Sequence, residues 1–396
     1  MRSLCTCLVP LLALVLATSA VCAADGGFLK RSGAELLLDG KPLRLVSVNK
    51  FDLFLRYLKG GDERKQAQGA IASAAAHGFN VIRFSGVGFY PVDMKNWPRQ
   101  EAWWAAFDAL VSDARQHGVR LIPVVNWNTS LFPDMAQECV LDMLLNPDSR
   151  SWQYLELYTR QLVGRYRNEE TILFWELSNE INLGADLGPM HPYGSEGLNW
   201  VDLGTSYMRL RRDNYTSDDM IAYMTRLASI IREVDPNHLI ATGNSAPRAA
   251  AQHMRRQKDD MDWTPDTLDE LVTYMRDTNA DPIDLISIHF YREHDNMRFG
   301  NQDPLSAKAL EQLKQAADRV GKPLYIGETG DNYAERPDTP FLKDVLDAAA
   351  RLQTPLTLVW QWDSPGDSND VNPARTPLVV KMMEQANRDR GGSGGP

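Results

Sequence analysis

Apolar and polar residues along this chain follow two periods, and the switch between them recurs. Three segments show it: AAAHGFNVIRF around Gly78, ARQHGVRLIPVV around Gly118 and ADRVGKPLYIGE around Gly321. In each, an Ala- and charge-rich stretch with helical spacing stops at a glycine, which readily takes the left-handed conformation past a helix end, and a short apolar run follows. The repeated unit is helix, glycine, buried strand.

The same pattern elsewhere gives strands at Arg44–Asn49, Val81–Ser85, Arg120–Asn126, Thr171–Ser178, Leu239–Gly243, Leu285–His289, Leu324–Glu328 and Leu356–Trp362. Helical spacing lies between them, at Arg64–His77, Glu101–His117, Arg150–Arg167, Ser217–Val234, Pro265–Thr278, Leu305–Val320, Pro340–Ala350 and Pro377–Ala386. Eight alternations of strand and helix predict an α/β fold, a single-domain (β/α)8 TIM barrel. A doubly wound sheet is the alternative, but no glycine-rich phosphate loop follows the first strand. Ahead of it, Glu35–Leu38 and Lys41–Leu43 flank Asp39-Gly40, which predicts a small N-terminal hairpin able to plug the barrel.

Residues 1–24, with a basic start at Arg2, an apolar run from Leu8 to Ala17 and small residues up to Ala23 and Ala24, have the layout of a secretory signal peptide. A lipoprotein anchor at Cys22 is the competing reading, and Ser19-Ala20-Val21 ahead of it departs from the usual pattern. Residues 25–388 then form the catalytic domain and 389–396, with GGSGGP, a flexible tail. The expected location is secreted or periplasmic. Three of the four cysteines go with the leader, so Cys139 stands alone and the core must supply the stability. The net charge of −10 comes without a basic cluster, which argues against nucleic acid as a partner, and no further apolar run is long enough for a transmembrane segment. A monomer is expected.

In a barrel, the strand C-termini converge on one mouth, and the long connections Ile181–Thr216, Asn244–Trp263 and Asp363–Pro373 cluster there. The residues at those ends are Asn49 and Asp52; Arg83; Asn126, Trp127 and Asn128; Asn179 and Glu180; His289 and Tyr291; Glu328; Trp360 and Trp362. Carboxylates, amides, an arginine and aromatics suit a neutral polyhydroxylated ligand; no metal site and no cofactor are expected. Glu180, where the apolar run of the fourth strand emerges as Ser178-Asn179-Glu180, is the candidate acid/base, and Glu328 its partner.

FWELSNE on the fourth strand, IHFY on the sixth, PLYIGETG on the seventh and LVWQW on the eighth resemble the retaining glycoside hydrolases of clan A, most of all family 5, the cellulase and β-mannanase family. The resemblance covers nearly the whole mature chain. It implies a β-linked glycan as substrate, β-mannan or β-1,4-glucan first, with Asn179 on the sugar 2-hydroxyl, Glu180 as acid/base and Glu328 as nucleophile. It further implies Arg83 and Tyr291 on the nucleophile, His289 lining the site and Trp360 as the floor under the cleaved sugar. Asn126 and Trp127 join these as expected substrate contacts. Two departures bear on subfamily: the third strand ends in NWN where many cellulases carry histidine, and Thr329 stands where mannanases usually have an aromatic.

A glycosidic bond leaves as a poor alkoxide, so one carboxyl protonates it while a carboxylate attacks the anomeric carbon. Arg83 is expected to hold the Glu328 carboxyl down, and an anionic Glu328 to push Glu180 up. Glu176 is expected to face into the wall toward an arginine, and Trp103 and Trp104 to be packing. Arg211–Asp213 and the charges from Arg255 onward read as solvated loop. A transglycosylase on the same scaffold and a non-catalytic glycan-binding barrel are the competing functions; binding alone needs no carboxylate pair.

Overall fold

A computed structural model describes residues 27–97, 101–187, 201–206, 211–257, 262–292 and 308–391. Residues 1–24, expected to be a leader, the aromatic residues Tyr193, Trp200 and Tyr207, and 392–396 of the expected tail lie outside the described residues.

Three short antiparallel strands come first: β1 Lys30–Ser32, β2 Glu35–Leu38 and β3 Lys41–Pro42. The hairpin was legible, but β1, an exposed KRS, carries no apolar alternation to announce it. Leu29, Leu36 and Leu43 pack in one cluster with Ile122, Phe174, Tyr325 and Leu356, so this small sheet closes the bottom of the barrel.

The barrel strands are β4 Leu45–Asn49, β5 Val81–Ser85, β6 Arg120–Asn126, β7 Phe174–Ser178, β8 Leu239–Ala241, β9 Ile286–His289, β10 Leu324–Thr329 and β11 Leu356–Val359. They pair in parallel in the order β8-β7-β6-β5-β4-β11-β10-β9, and a bridge from Ala241 to Leu285 joins the two ends. This is the expected (β/α)8 barrel. The outer layer holds α1 Leu53–Lys59, α2 Gly61–Ala76, α3 Glu101–Gln116, α4 Leu131–Ala136, α5 Val140–Leu145, α6 Arg150–Tyr166, α7 Ser217–Val234, α8 Ala251–Arg256, α9 Leu268–Thr278, α10 Lys308–Val320, α11 Pro340–Arg351 and α12 Pro377–Asp389.

Local sequence explains these elements. In α7, the Thr216 hydroxyl accepts from Asp219 N and the Asp219 carboxylate accepts from Thr216 N, a reciprocal cap whose loss costs about 1 kcal/mol. Met220, Tyr223, Met224, Leu227 and Ile231 recur at three- and four-residue spacing and are all buried. In β7 the alternation separates two cores. Trp175 and Leu177 pack toward the helices, while Phe174 meets Tyr325 and Glu176 meets Arg83 inside the barrel.

Three expectations need correction. The eighth strand ends at Val359, short of Trp362, and Trp362 does not reach the mouth. Trp362 is fully buried against His77 and Phe79 and donates to Ala70 O on α2. Of the charges read as solvated loop, two are structural: Asp213 is buried and accepts from Val140 N, and Arg255, at the end of α8, pairs with Asp218 and Asp277. Arg211, Arg212 and Arg256 are exposed as expected, and 258–260 lie outside the described residues.

Candidate active site

Arg83 organises the barrel mouth. It is fully buried on β5, and its guanidinium serves four acceptors: Glu176 Oε1 from Nε at 2.7 Å, Glu328 Oε1 and Asn49 Oδ1 from Nη1 at 2.6 and 3.1 Å, and Asn179 Oδ1 from Nη2 at 2.7 Å. The Trp127 ring lies 4.5 Å from the guanidinium carbon. So rigid a fork fixes Glu328 at the mouth relative to Glu176 within the barrel.

Glu328 accepts from Arg83 on Oε1 and from Tyr291 Oη on Oε2 at 2.9 Å. Strict alternation along β10 would place Tyr325 and Glu328 on opposite faces, since they are three residues apart. Both face the interior, because the pairing register of β10 shifts between Ile326 and Glu328. Gly327 sits in that irregular stretch. A Cβ there would come within 2.9 Å of the His289 ring, so the residue must be small for His289 to stand beside Glu328.

Glu180 leaves β7 through a left-handed turn, with φ of 50°, and its backbone N–H donates to Gly243 O at 2.8 Å. Gly243 has φ of 76°, and a Cβ on it would fall 1.8 Å from Ser178 O and 2.7 Å from Glu176 Oε1. His289 Nδ1 lies 3.0 Å from Glu180 Oε1 and 3.4 Å from Glu328 Oε1. One oxygen of each carboxylate and the ring nitrogen all fall within 4.8 Å of one another. Oxygens within 4.8 Å lie closer than the ~6.5–9.5 Å separation that inverting glycosidases need for a water.

The family model for cellulase, glycosyl hydrolase family 5, matches residues 38–366, from the hairpin through the loop after β11. The chain belongs to this family. Mannan endo-1,4-beta-mannosidase 8 of Oryza sativa subsp. japonica is 24% identical over 329 residues, 76% of this chain and 78% of that one. Mannan endo-1,4-beta-mannosidase 3 of Arabidopsis thaliana is 24% identical over 364 residues, 82% of this chain and 78% of that one. The endo-1,4-beta-mannanase structure from Rhizomucor miehei shares the fold, with a TM-score of 0.64 at 17% identity over 92% of this chain and 100% of that one.

The electrostatics of this family 5 glycoside hydrolase depart from expectation at one carboxylate. Burial pushes Glu328 above the ordinary carboxylate range, with His289, Arg83 and the Tyr291 hydroxyl pulling back and Glu180 adding to the rise. Arg83 acts in the expected direction, but desolvation outweighs it. Burial also raises Glu180, opposed by Arg83 and the Ser245 hydroxyl. Desolvation drops His289 to about 4, so the imidazole is neutral at pH 7, and burial beside two carboxylates keeps Tyr291 protonated. For Arg83, burial works against the charge, and Glu176 and Glu328 more than restore it.

The enzyme's remaining strand-end residues divide into those at the mouth and those held elsewhere. Trp360 is half-buried there, its ring centroid 5.9 Å from that of Trp127 and 6.5 Å from that of Phe51. Its indole N–H donates to Asp367 at 3.3 Å. Asn126 is not brought to the carboxylates: it is fully buried and donates to Tyr223 Oη of α7 at 2.8 Å. Asp52 is bound to Lys50 and Arg56. Asn128 is buried, donating to Phe89 O and accepting from Ser130 N, so it shapes the loop. Sequence reasoning missed Phe51 and Phe89, whose rings extend the aromatic wall from Trp127. Their positions just past strand ends were the available signal.

Among the described residues, two groups have the spacing of metal ligands, and in both protein groups already supply the positive partners. Arg83 sits on the Glu180–His289–Glu328 group. In the other, His253, Asp266 and Glu270, Asp266 accepts from two backbone N–H groups and Glu270 pairs with Arg256.

Proposed function

We propose that this family 5 hydrolase is an exported enzyme that cleaves β-1,4-mannan by double displacement with retention, Glu180 acting as acid/base and Glu328 as nucleophile. The observation that carries the reading is the carboxylate pair, with oxygens within 4.8 Å and Glu328 alone gripped by Arg83 and Tyr291. Burial raises both carboxyls, but Glu328 accepts hydrogen bonds from Arg83 and Tyr291 that favour its ionised form, and on that geometry we assign the charge of the pair to Glu328 and the proton to Glu180.

In the first step a Glu328 oxygen bonds to the anomeric carbon as the glycosidic C–O bond breaks. The departing oxygen keeps that electron pair and takes the proton from Glu180. In the second, water attacks the same carbon and gives a proton to Glu180. The ester bond breaks and its electrons return to Glu328. Asn179, held by Arg83, faces the 2-hydroxyl, and Trp360 presents a ring to the sugar's C–H face. The aromatic wall of Phe51, Phe89 and Trp127 lines one side of this site.

The names of the plant relatives support mannan over glucan, and the leader-like residues 1–24 support export. Product analysis on β-mannan, soluble cellulose, mixed-linkage glucan, xylan and β-1,3-glucan tests the reading. Release of manno-oligosaccharides from β-mannan, abolished by Glu328→Gln, is expected. Folded protein that binds a glycan and cuts none of the five would replace it with the binding function.

A further inference from the structure

Below the carboxylate pair lies a third buried carboxylate that the double displacement leaves unused. Glu176 on β7 accepts from Arg83 Nε at 2.7 Å and lies 2.6 Å from Arg83 Nη2, while Tyr325 Oη of β10 donates to its other oxygen. On its far edge the same guanidinium donates to Glu328 at 2.6 Å. One cation thus serves two carboxylates, and only one of them changes charge during the reaction.

We infer that Glu176 is a positioning residue that keeps Arg83 in place and neutralised while Glu328 passes from carboxylate to glycosyl ester and back. This rests on the retaining reading above. In the free enzyme Arg83 faces two negative charges. When Glu328 bonds to the anomeric carbon it becomes a neutral ester, the proton of Glu180 leaves with the aglycone, and Glu176 is the charge that remains on Arg83. Without it, the ester stage leaves a buried guanidinium with no carboxylate hydrogen-bonded to it and only the Glu180 anion, which it does not contact, to offset its charge, and that is costly.

The free enzyme is affected too. An Arg83 that belonged to Glu328 alone would hold its negative charge more tightly and make it a weaker nucleophile, but a better leaving group when water arrives. Sharing the guanidinium with Glu176 moderates that pull. The titratable groups facing Glu176 are Arg83, Tyr325 and, further off, His289; those facing Glu328 are Arg83, His289, Tyr291 and Glu180.

Glu176→Gln retains an acceptor for Arg83 and a partner for Tyr325 while removing the charge. With 2,4-dinitrophenyl β-mannoside, whose good leaving group makes ester breakdown limit kcat, kcat/KM is expected to fall by about 10- to 100-fold while kcat holds or rises. The acidic limb of kcat/KM is expected to move down by about one pH unit. A residue that merely packs would lower both constants together and leave that limb in place, and such a result overturns the inference. Should the variant not fold, the wild-type enzyme trapped with 2-deoxy-2-fluoro-β-mannosyl fluoride decides the matter by crystallography. Arg83 is expected to stay hydrogen-bonded to Glu176 in the ester, and its release from Glu176 would contradict the proposal. Wild-type protein inactive on every aryl β-glycoside and on β-mannan removes the retaining reading itself; an active wild type without the split removes this inference alone.

Discussion

His289 Nδ1 lies 3.0 Å from Glu180 Oε1, and the ring is neutral because burial has dropped it to about 4. A neutral imidazole so placed donates Nδ1–H to Glu180 whenever that carboxyl is ionised, which favours the charged form. His289→Phe removes the donor. The basic limb of the rate profile should then move up, with a loss of roughly tenfold or more in kcat/KM. A basic limb that stays where it was would show that the imidazole does not set the Glu180 ionisation.

Burial raises Glu180 above its ordinary range, so its contribution to stability is fully present below the unfolded value near 4.3 and is lost as pH rises through the folded value. Glu180→Gln escapes that loss. The variant is expected to melt above the wild type at pH 7, with the advantage shrinking as pH falls toward 4. Parallel melting curves across that range would argue against a raised carboxyl.

Gly243→Ala puts a methyl group 1.8 Å from Ser178 O at a φ of 76°. Both the strain and the displaced turn beneath Glu180 count against it, and denaturant unfolding should show a loss of at least ~2 kcal/mol. A variant of wild-type stability would mean the β7–β8 junction yields easily.

Trp360 offers a half-buried ring braced by Trp127, Phe51 and Asp367. Trp360→Ala is expected to lower kcat/KM by roughly tenfold or more, from lost stacking. Trp362→Phe, lying away from the mouth against α2, should leave activity on short substrates near the wild-type level. Equal losses in both variants would contradict the placement of the two indoles.

Much of the site was legible because a barrel fixes where strand ends go. Arg83, Asn179, Glu180, His289, Tyr291, Glu328 and Trp360 follow from strand position plus residue type, and the structure brings them together. Where regular geometry stops, the reading stopped with it. Asn126 and Trp362 stand at or beyond strand ends, where period-two alternation no longer dictates direction. Tyr325 and Glu328 share the interior through a register shift that apolar spacing does not encode. The short helices α4, α5 and α8 carry too few turns to show a period. The net rise at Glu328 depends on desolvation by the assembled barrel, which no local run of residues reports.

The central claim is that Glu328 forms the covalent bond to sugar, and the most direct measurement is mass analysis of the protein inactivated with 2-deoxy-2-fluoro-β-mannosyl fluoride. After peptic digestion, the added fluoromannosyl mass should lie on the peptide that contains Leu324 to Thr329, with Glu328 as the modified residue. A label on the Glu180 peptide, or turnover that goes on with no label anywhere, would contradict the account.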